Sequence, residues 1–128
     1  MTDQELYDKV AAHLLKQGDK AGIYQPDGSF SCMYRDDKGR QCAAGCLLEP
    51  EQYTAKLEGR GVSHSTVAVA LYKSIGPYNA ELVRELQVVH DFTSPEGWEE
   101  ELRKLAEDFK LVPYSVEQHD TRAETEDC

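Results

Sequence analysis

Trp98, Leu102, Leu105 and Phe109 recur at spacings of four, three and four residues, and the positions between them are almost all charged. That is one apolar stripe on an otherwise polar helix, an element that gains its stability only when other parts of the chain cover the stripe. Ser94-Pro95-Glu96 is expected to open this helix and Val112-Pro113 to end it. The cover is sought first at the other end of the chain. Thr2 and Glu5 form a T-x-x-E capping box, Leu6, Tyr7, Val10, Ala11 and Leu14 share one face, and Gly18 follows, which predicts a helix over 3–17.

Two more helices are expected between these. Ser63 or Ser65 caps one that carries Val67, Ala70 and Leu71 and ends at Gly76-Pro77. Asn79 caps the next, with Leu82, Val83, Leu86, Val89 and His90 on one side. Earlier, Gln25-Pro26-Asp27-Gly28 is a turn, after which Phe30, Cys32 and Tyr34 alternate with Ser31, Met33 and Arg35. A second turn at Asp36-Asp37-Lys38-Gly39 leads back to Cys42, so a small antiparallel sheet is expected near residues 22–42. A short helix is expected from Pro50 to Leu57. The fold class read from this pattern is α+β: a mainly helical single domain over 1–113, with 114–128 as an acidic, disordered tail. Its expected core is Leu6, Val10, Leu14, Phe30, Tyr34, Leu47, Leu71, Leu86, Val89, Trp98, Leu102, Leu105 and Phe109.

At 128 residues the chain is long enough to bury roughly two-thirds of its unfolded surface, so neither metal nor disulfide is required for folding. The net charge of −10 argues against direct binding to nucleic acid or to an anionic membrane, since both need a basic face. The first residues lack the cationic and apolar regions of a secretory signal, and the longest apolar run, Val67 to Tyr72, is far too short to span a bilayer. A cytoplasmic protein is expected, with Cys32, Cys42, Cys46 and Cys128 as free thiols. No cofactor is expected.

Two segments, Cys32 to Leu48 and Leu86 to Asp91, contain the patterns C-x-Y-R, C-A-x-G-x-L and L-Q-x-x-H-D, and Trp98 follows on a helix. In these the chain resembles a group of small, mostly uncharacterised proteins encoded by bacteriophages and their bacterial hosts, over nearly residues 2–111. The resemblance implies a phage setting and an α+β fold, and no reaction.

Several residues have the chemistry of a site. Cys42 follows a turn at what reads as a helix start, where backbone N–H groups favour a thiolate; with His90 or His64 as base and Asp91 to orient the ring, it would form a nucleophilic constellation. The alternative for Cys42 is a small buried apolar residue. Cys32, Cys42 and Cys46 with one histidine would satisfy tetrahedral zinc, although their spacing is not that of a zinc knuckle. His90-Asp91 shares letters with metal phosphohydrolases, and Arg84 to His90 with the R-x4-6-H motif of helical ribonucleases, but His90 falls on the buried face and is read as a core histidine.

Charge supplies the remaining signal. Residues 1–64 hold 8 basic and 10 acidic side chains, whereas 65–128 hold 6 and 14. Glu96, Glu99, Glu100, Glu101, Glu107 and Asp108 load the last helix, with Glu99/Arg103 and Glu100/Lys104 as expected i,i+4 pairs. The bland reading is a solvated helix face. The sharper one, taken with the implied phage setting, is a non-enzymatic accessory protein whose carboxylates engage the basic surface of a host protein of nucleic-acid processing or antiviral defence, with Tyr34 and Arg35 as a second binding locus. A small thiol-dependent hydrolase or transferase using Cys42 and His90 is the alternative.

Overall fold

The computed structural model describes residues 1–115; most of the expected tail lies outside the described residues. Helix α1 spans Asp3–Gln17 and is closed at its start by the capping box, in which the Thr2 side chain accepts from the Glu5 N–H and the Glu5 carboxylate accepts from the Thr2 N–H. Strands β1 (Gly22–Tyr24) and β2 (Phe30–Cys32) pair antiparallel, Ile23 opposite Ser31. Helices α2 (Ser65–Ile75), α3 (Ala80–Phe92) and α4 (Trp98–Asp108) complete the order. The protein is thus a small α+β domain, with four α-helices and one two-stranded sheet among the described residues. None of these helices is long and apolar enough to cross a membrane.

The core is where the stripes of α1, α3 and α4 meet. Leu6, Tyr7, Val10, Ala11 and Leu14 from α1 face Leu82, Val83 and Leu86 from α3 and Trp98, Leu102 and Ala106 from α4. Tyr7 is fully buried yet keeps its hydroxyl satisfied, donating to the Leu102 carbonyl at 2.9 Å and accepting from the Tyr114 N–H. Helix α2 adds Val67, Ala70 and Leu71 to the same core and rests chiefly on short 3-10 turns at Gly45–Leu47 and Pro50–Gln52.

Four expectations are corrected. The helix expected from Pro50 to Leu57 is two separate 3-10 turns, Pro50–Gln52 and Ala55–Leu57, because the extended backbone at Tyr53 and Thr54 interrupts it. The cap of α2 is His64, whose Nδ1 accepts from the Thr66 N–H, in place of Ser63 or Ser65. Ser94-Pro95-Glu96 leads into a 3-10 turn, Pro95–Gly97, so that α4 proper starts at Trp98. Phe30 and Phe109 are only half-buried: Phe30 packs edge-on against the exposed Tyr24, and Phe109 lies just beyond the last turn of α4.

A buried carboxylate ties the sheet to the Asp36–Arg40 turn. The Asp36 side chain is fully buried and accepts from the backbone N–H groups of Gly22, Lys38 and Arg40 and from Arg40 Nε at 2.6 Å. Burial alone would raise its pKa, but these donors together hold the carboxyl below the usual range. The approach of β1 is so close that a Cβ on Gly22 would lie 2.2 Å from the Ser31 carbonyl oxygen, which restricts that position to glycine.

Candidate functional site

Two places bring together the residues singled out by sequence. The first is a polar node under the sheet. His90 is fully buried, and its Nε2 accepts from the Ala21 N–H at 3.1 Å, which places the ring proton on Nδ1, where it is donated to Asp91 Oδ1 at 2.8 Å. Asp91 Oδ1 also accepts from Gln87 Nε2, and the Cys32 thiol donates to the same carboxylate. Gln87 in turn accepts from the Ala44 N–H. The two motif-bearing segments are therefore bonded to each other, and each of these polar side chains has a partner that fixes it.

The thiol beside His90 and Asp91 is that of Cys32. Cys32, His90 and Asp91 have ligand atoms within 4.8 Å of one another, and no group of three that includes Cys42 or Cys46 converges in this way among the described residues. Metal ligation through this set conflicts with its hydrogen bonds. A metal on Nδ1 would move the ring proton to Nε2, where it would face the Ala21 N–H donor to donor. Cys42 is buried and its Sγ accepts from the Gly45 N–H at 3.3 Å, while both ring nitrogens of His90 are already engaged. A cleft of about 280 Å³ between the 58–62 loop and this node is lined by Cys32, Cys42, Glu58, Gln87 and Asp91.

Burial sets the chemistry of these thiols. It raises Cys32 to about 12, aided by the charge of Asp91 and the hydrogen bond to it, and raises Cys46 to about 12. Burial likewise pushes Cys42 up, against the opposing Gly45 N–H and Gln87 contacts. At pH 8 a thiol of pKa near 12 is about one part in ten thousand thiolate, against about a quarter for a free cysteine. In a Cys128→Ser chain, iodoacetamide at pH 8 is therefore expected to alkylate the folded protein at least about 100-fold more slowly than the urea-unfolded chain. Equal rates would show an accessible thiolate. Because folding raises these pKa values, the thiols' contribution to stability should be level below about pH 8 and decline as pH rises toward 12, where the unfolded thiols ionise first; the Asp36 carboxyl, held low in the fold, adds a separate loss of stability at acid pH.

Tyr34 and Arg35 serve the fold. The Tyr34 hydroxyl donates to the Arg60 carbonyl at 2.6 Å, and the backbone N–H groups of both residues donate to the Glu58 carboxylate. Arg35 donates to the Leu48 carbonyl and lies over the Tyr53 ring, 5.1 Å from its centroid.

The second place is the groove between α3 and α4, a cleft of about 620 Å³. The apolar side chains in its lining are Val88, Val89, Leu105 and Phe109, of which Val89 and Leu105 are buried and Val88 is exposed. Carboxylates stand on both walls, Glu81 and Glu85 from α3 and Glu101 and Asp108 from α4, with Lys104 as the one cation among the described lining residues. The α4 pairs differ from those expected. Arg103 joins Glu100 and Glu107, and Lys104 joins Glu101, since residues three and four apart on a helix are both neighbours and Arg103 lies between two carboxylates on its own face. Glu96, Glu99 and Asp108 make no ion pair among the described residues, nor do Glu81 and Glu85.

Sequence reasoning missed the α3 wall. Its signal was a second row on that helix, Glu81, Glu85, Val88 and Phe92, outside the Leu82-Leu86-Val89 stripe. Val88 is 42% and Phe92 82% exposed, so this row puts two apolar side chains in water beside two carboxylates.

Fold and site together define a small acidic α+β domain with a carboxylate-walled groove between two helices. Comparison with protein-family models, with curated proteins and with solved structures finds no match for this chain.

Proposed function

We propose that this chain is a non-enzymatic phage accessory protein that binds a host protein of nucleic-acid processing or antiviral defence through a basic surface on that partner. The observation that carries the reading is the α3–α4 groove, where four carboxylates stand beside Val88, Val89, Leu105 and Phe109 and Lys104 is the one cation among the described lining residues. A basic partner gains there both electrostatic steering and burial of apolar surface. Occupying such a surface would exclude the nucleic acid that it otherwise attracts. The phage setting comes from the resemblance in the two motif segments.

The test is capture from a bacterial lysate with the full chain and with a Glu81→Lys, Glu101→Lys, Asp108→Lys variant, which reverses carboxylates on both walls of the groove, read by mass spectrometry and followed by association kinetics with the captured protein. Glu81 and Asp108 are exposed and Glu101 half-buried, so the reversal is expected to leave the fold intact. Association of the variant should be slower by about 10-fold or more near 50 mM salt, with most of the loss in the on-rate, and the difference should shrink as salt rises. A partner whose binding is indifferent to both salt and charge reversal would overturn the reading.

A further inference from the structure

Resting on that reading, we infer that the α3–α4 groove receives one amphipathic helix of the partner, with an aliphatic or aromatic side chain set against its apolar lining and Lys or Arg on both flanks. The groove is built from helices, whose backbone N–H and C=O groups are already bonded within α3 and α4. An extended peptide would find no strand edge there to satisfy its own backbone, whereas a helix arrives with its backbone satisfied. The dimensions agree. Helix α3 has 13 residues, which makes it about 20 Å long, room for three to four turns of a partner lying alongside.

Charge chooses among occupants. Carboxylates on both walls call for cations on both sides of the incoming apolar stripe, which is the pattern of a basic amphipathic helix. A second copy of this chain brings a net charge of −10 and the same acidic groove. Residues 116–128 carry five carboxylates against Arg122, so they are repelled as well. Nucleic acid and anionic lipid are excluded on the same ground. Val88, which lines both this groove and the neighbouring cleft beside Arg84 and Gln87, and Phe92, one turn further on, give the partner helix an apolar ridge to straddle.

The experiment uses the full chain and two labelled synthetic peptides of identical composition, 16 residues of Leu, Lys and Ala. One is patterned at helical spacing; the other is scrambled so that Leu falls on every face. Fluorescence anisotropy is expected to show the patterned peptide binding at least about 10-fold more tightly than the scrambled one. Circular dichroism should show that it gains helix on binding. Val88→Asp and Phe92→Asp should each remove most of that preference, and Glu81→Lys with Glu85→Lys should weaken both peptides; all four side chains lie at least partly in solvent, and unchanged thermal melts would verify the variants' folds. If both peptides bind equally and Val88→Asp changes nothing, the helix inference is overturned while the basic-partner reading stands. If neither peptide binds at 50 mM salt, the inference fails, and the lysate experiment decides the broader reading separately.

Discussion

Gly45→Ala is expected to destabilise the fold by about 3 kcal/mol or more, at the upper end of what overpacking costs. A Cβ at this position would lie 2.0 Å from the Tyr34 carbonyl oxygen and 2.8 Å from the Tyr34 carbonyl carbon. Both are backbone atoms, so no rotamer change relieves the contact. Nor is the Tyr34 backbone free to withdraw. Its carbonyl accepts from the Cys42 N–H, its N–H donates to Glu58, and its side chain is tied to the Arg60 carbonyl. Gly45 has no positive φ, so on backbone propensity alone alanine would be neutral or favourable in the Gly45–Leu47 turn. The sign of the effect therefore separates the two causes. Gly61→Ala is the control, since nothing lies within 4 Å of a Cβ there and its φ is ordinary; it should fall within about 0.5 kcal/mol of the parent. Urea midpoints for the two variants decide the matter, and a Gly45→Ala chain as stable as the parent would show that Tyr34 does not press on this turn.

The same contact explains what the sequence could and could not disclose. Helices α1, α3 and α4 were legible because their apolar residues keep a 3.6-residue period, and the first two also because their caps are local: Thr2, Glu5 and Asn79 act on N–H groups within three residues, whereas α4 has no side-chain cap. The hairpin was legible from its turn. The stretch from Ala43 to Val62 was not, because 3-10 turns of three residues carry no period, and their positions are set by contacts to a separate segment, such as the bonds from the Tyr34 and Arg35 N–H groups to Glu58. Cys32 shares its alternating row with Phe30 and Tyr34, which points to an apolar setting, yet it bonds Asp91, a contact between segments far apart in the chain. The acidic face of α4 was visible as composition. Its groove was not, since that depends on α3 lying alongside α4 and on Val88 and Phe92 staying outside the core, and a buried stripe of the strength of Leu82-Leu86-Val89 masks a weaker row on the same helix.

Trp98→Ala should cost about 3–5 kcal/mol, a large share of the 5–15 kcal/mol that a domain of this kind has in total. Trp98 is fully buried, so the substitution removes the whole indole from the packed interior and leaves a void among large neighbours. It also removes the bond from Nε1 to the Thr93 carbonyl at 2.9 Å and the stacking on His90, whose ring centroid is 5.6 Å away. Both contacts tie the first turn of α4 to the last turn of α3, so the hairpin that forms the groove loosens along with the core. Trp98→Phe separates these contributions. It keeps an aromatic ring against His90 but has no N–H for Thr93, and should cost about 1–2 kcal/mol from the lost hydrogen bond and the smaller volume. The chain has one tryptophan, which makes the parent its own reporter: buried indole emission should be blue-shifted and insensitive to iodide until the urea transition. A Trp98→Ala chain that lost less than about 1.5 kcal/mol would mean that the α3–α4 hairpin stands without this residue. Binding is the more sensitive readout of the expected loosening, because a groove whose walls are joined at Trp98 should lose affinity for the patterned helix even at temperatures where the Trp98→Ala chain remains folded, and an unchanged affinity would show that the hairpin does not depend on this residue.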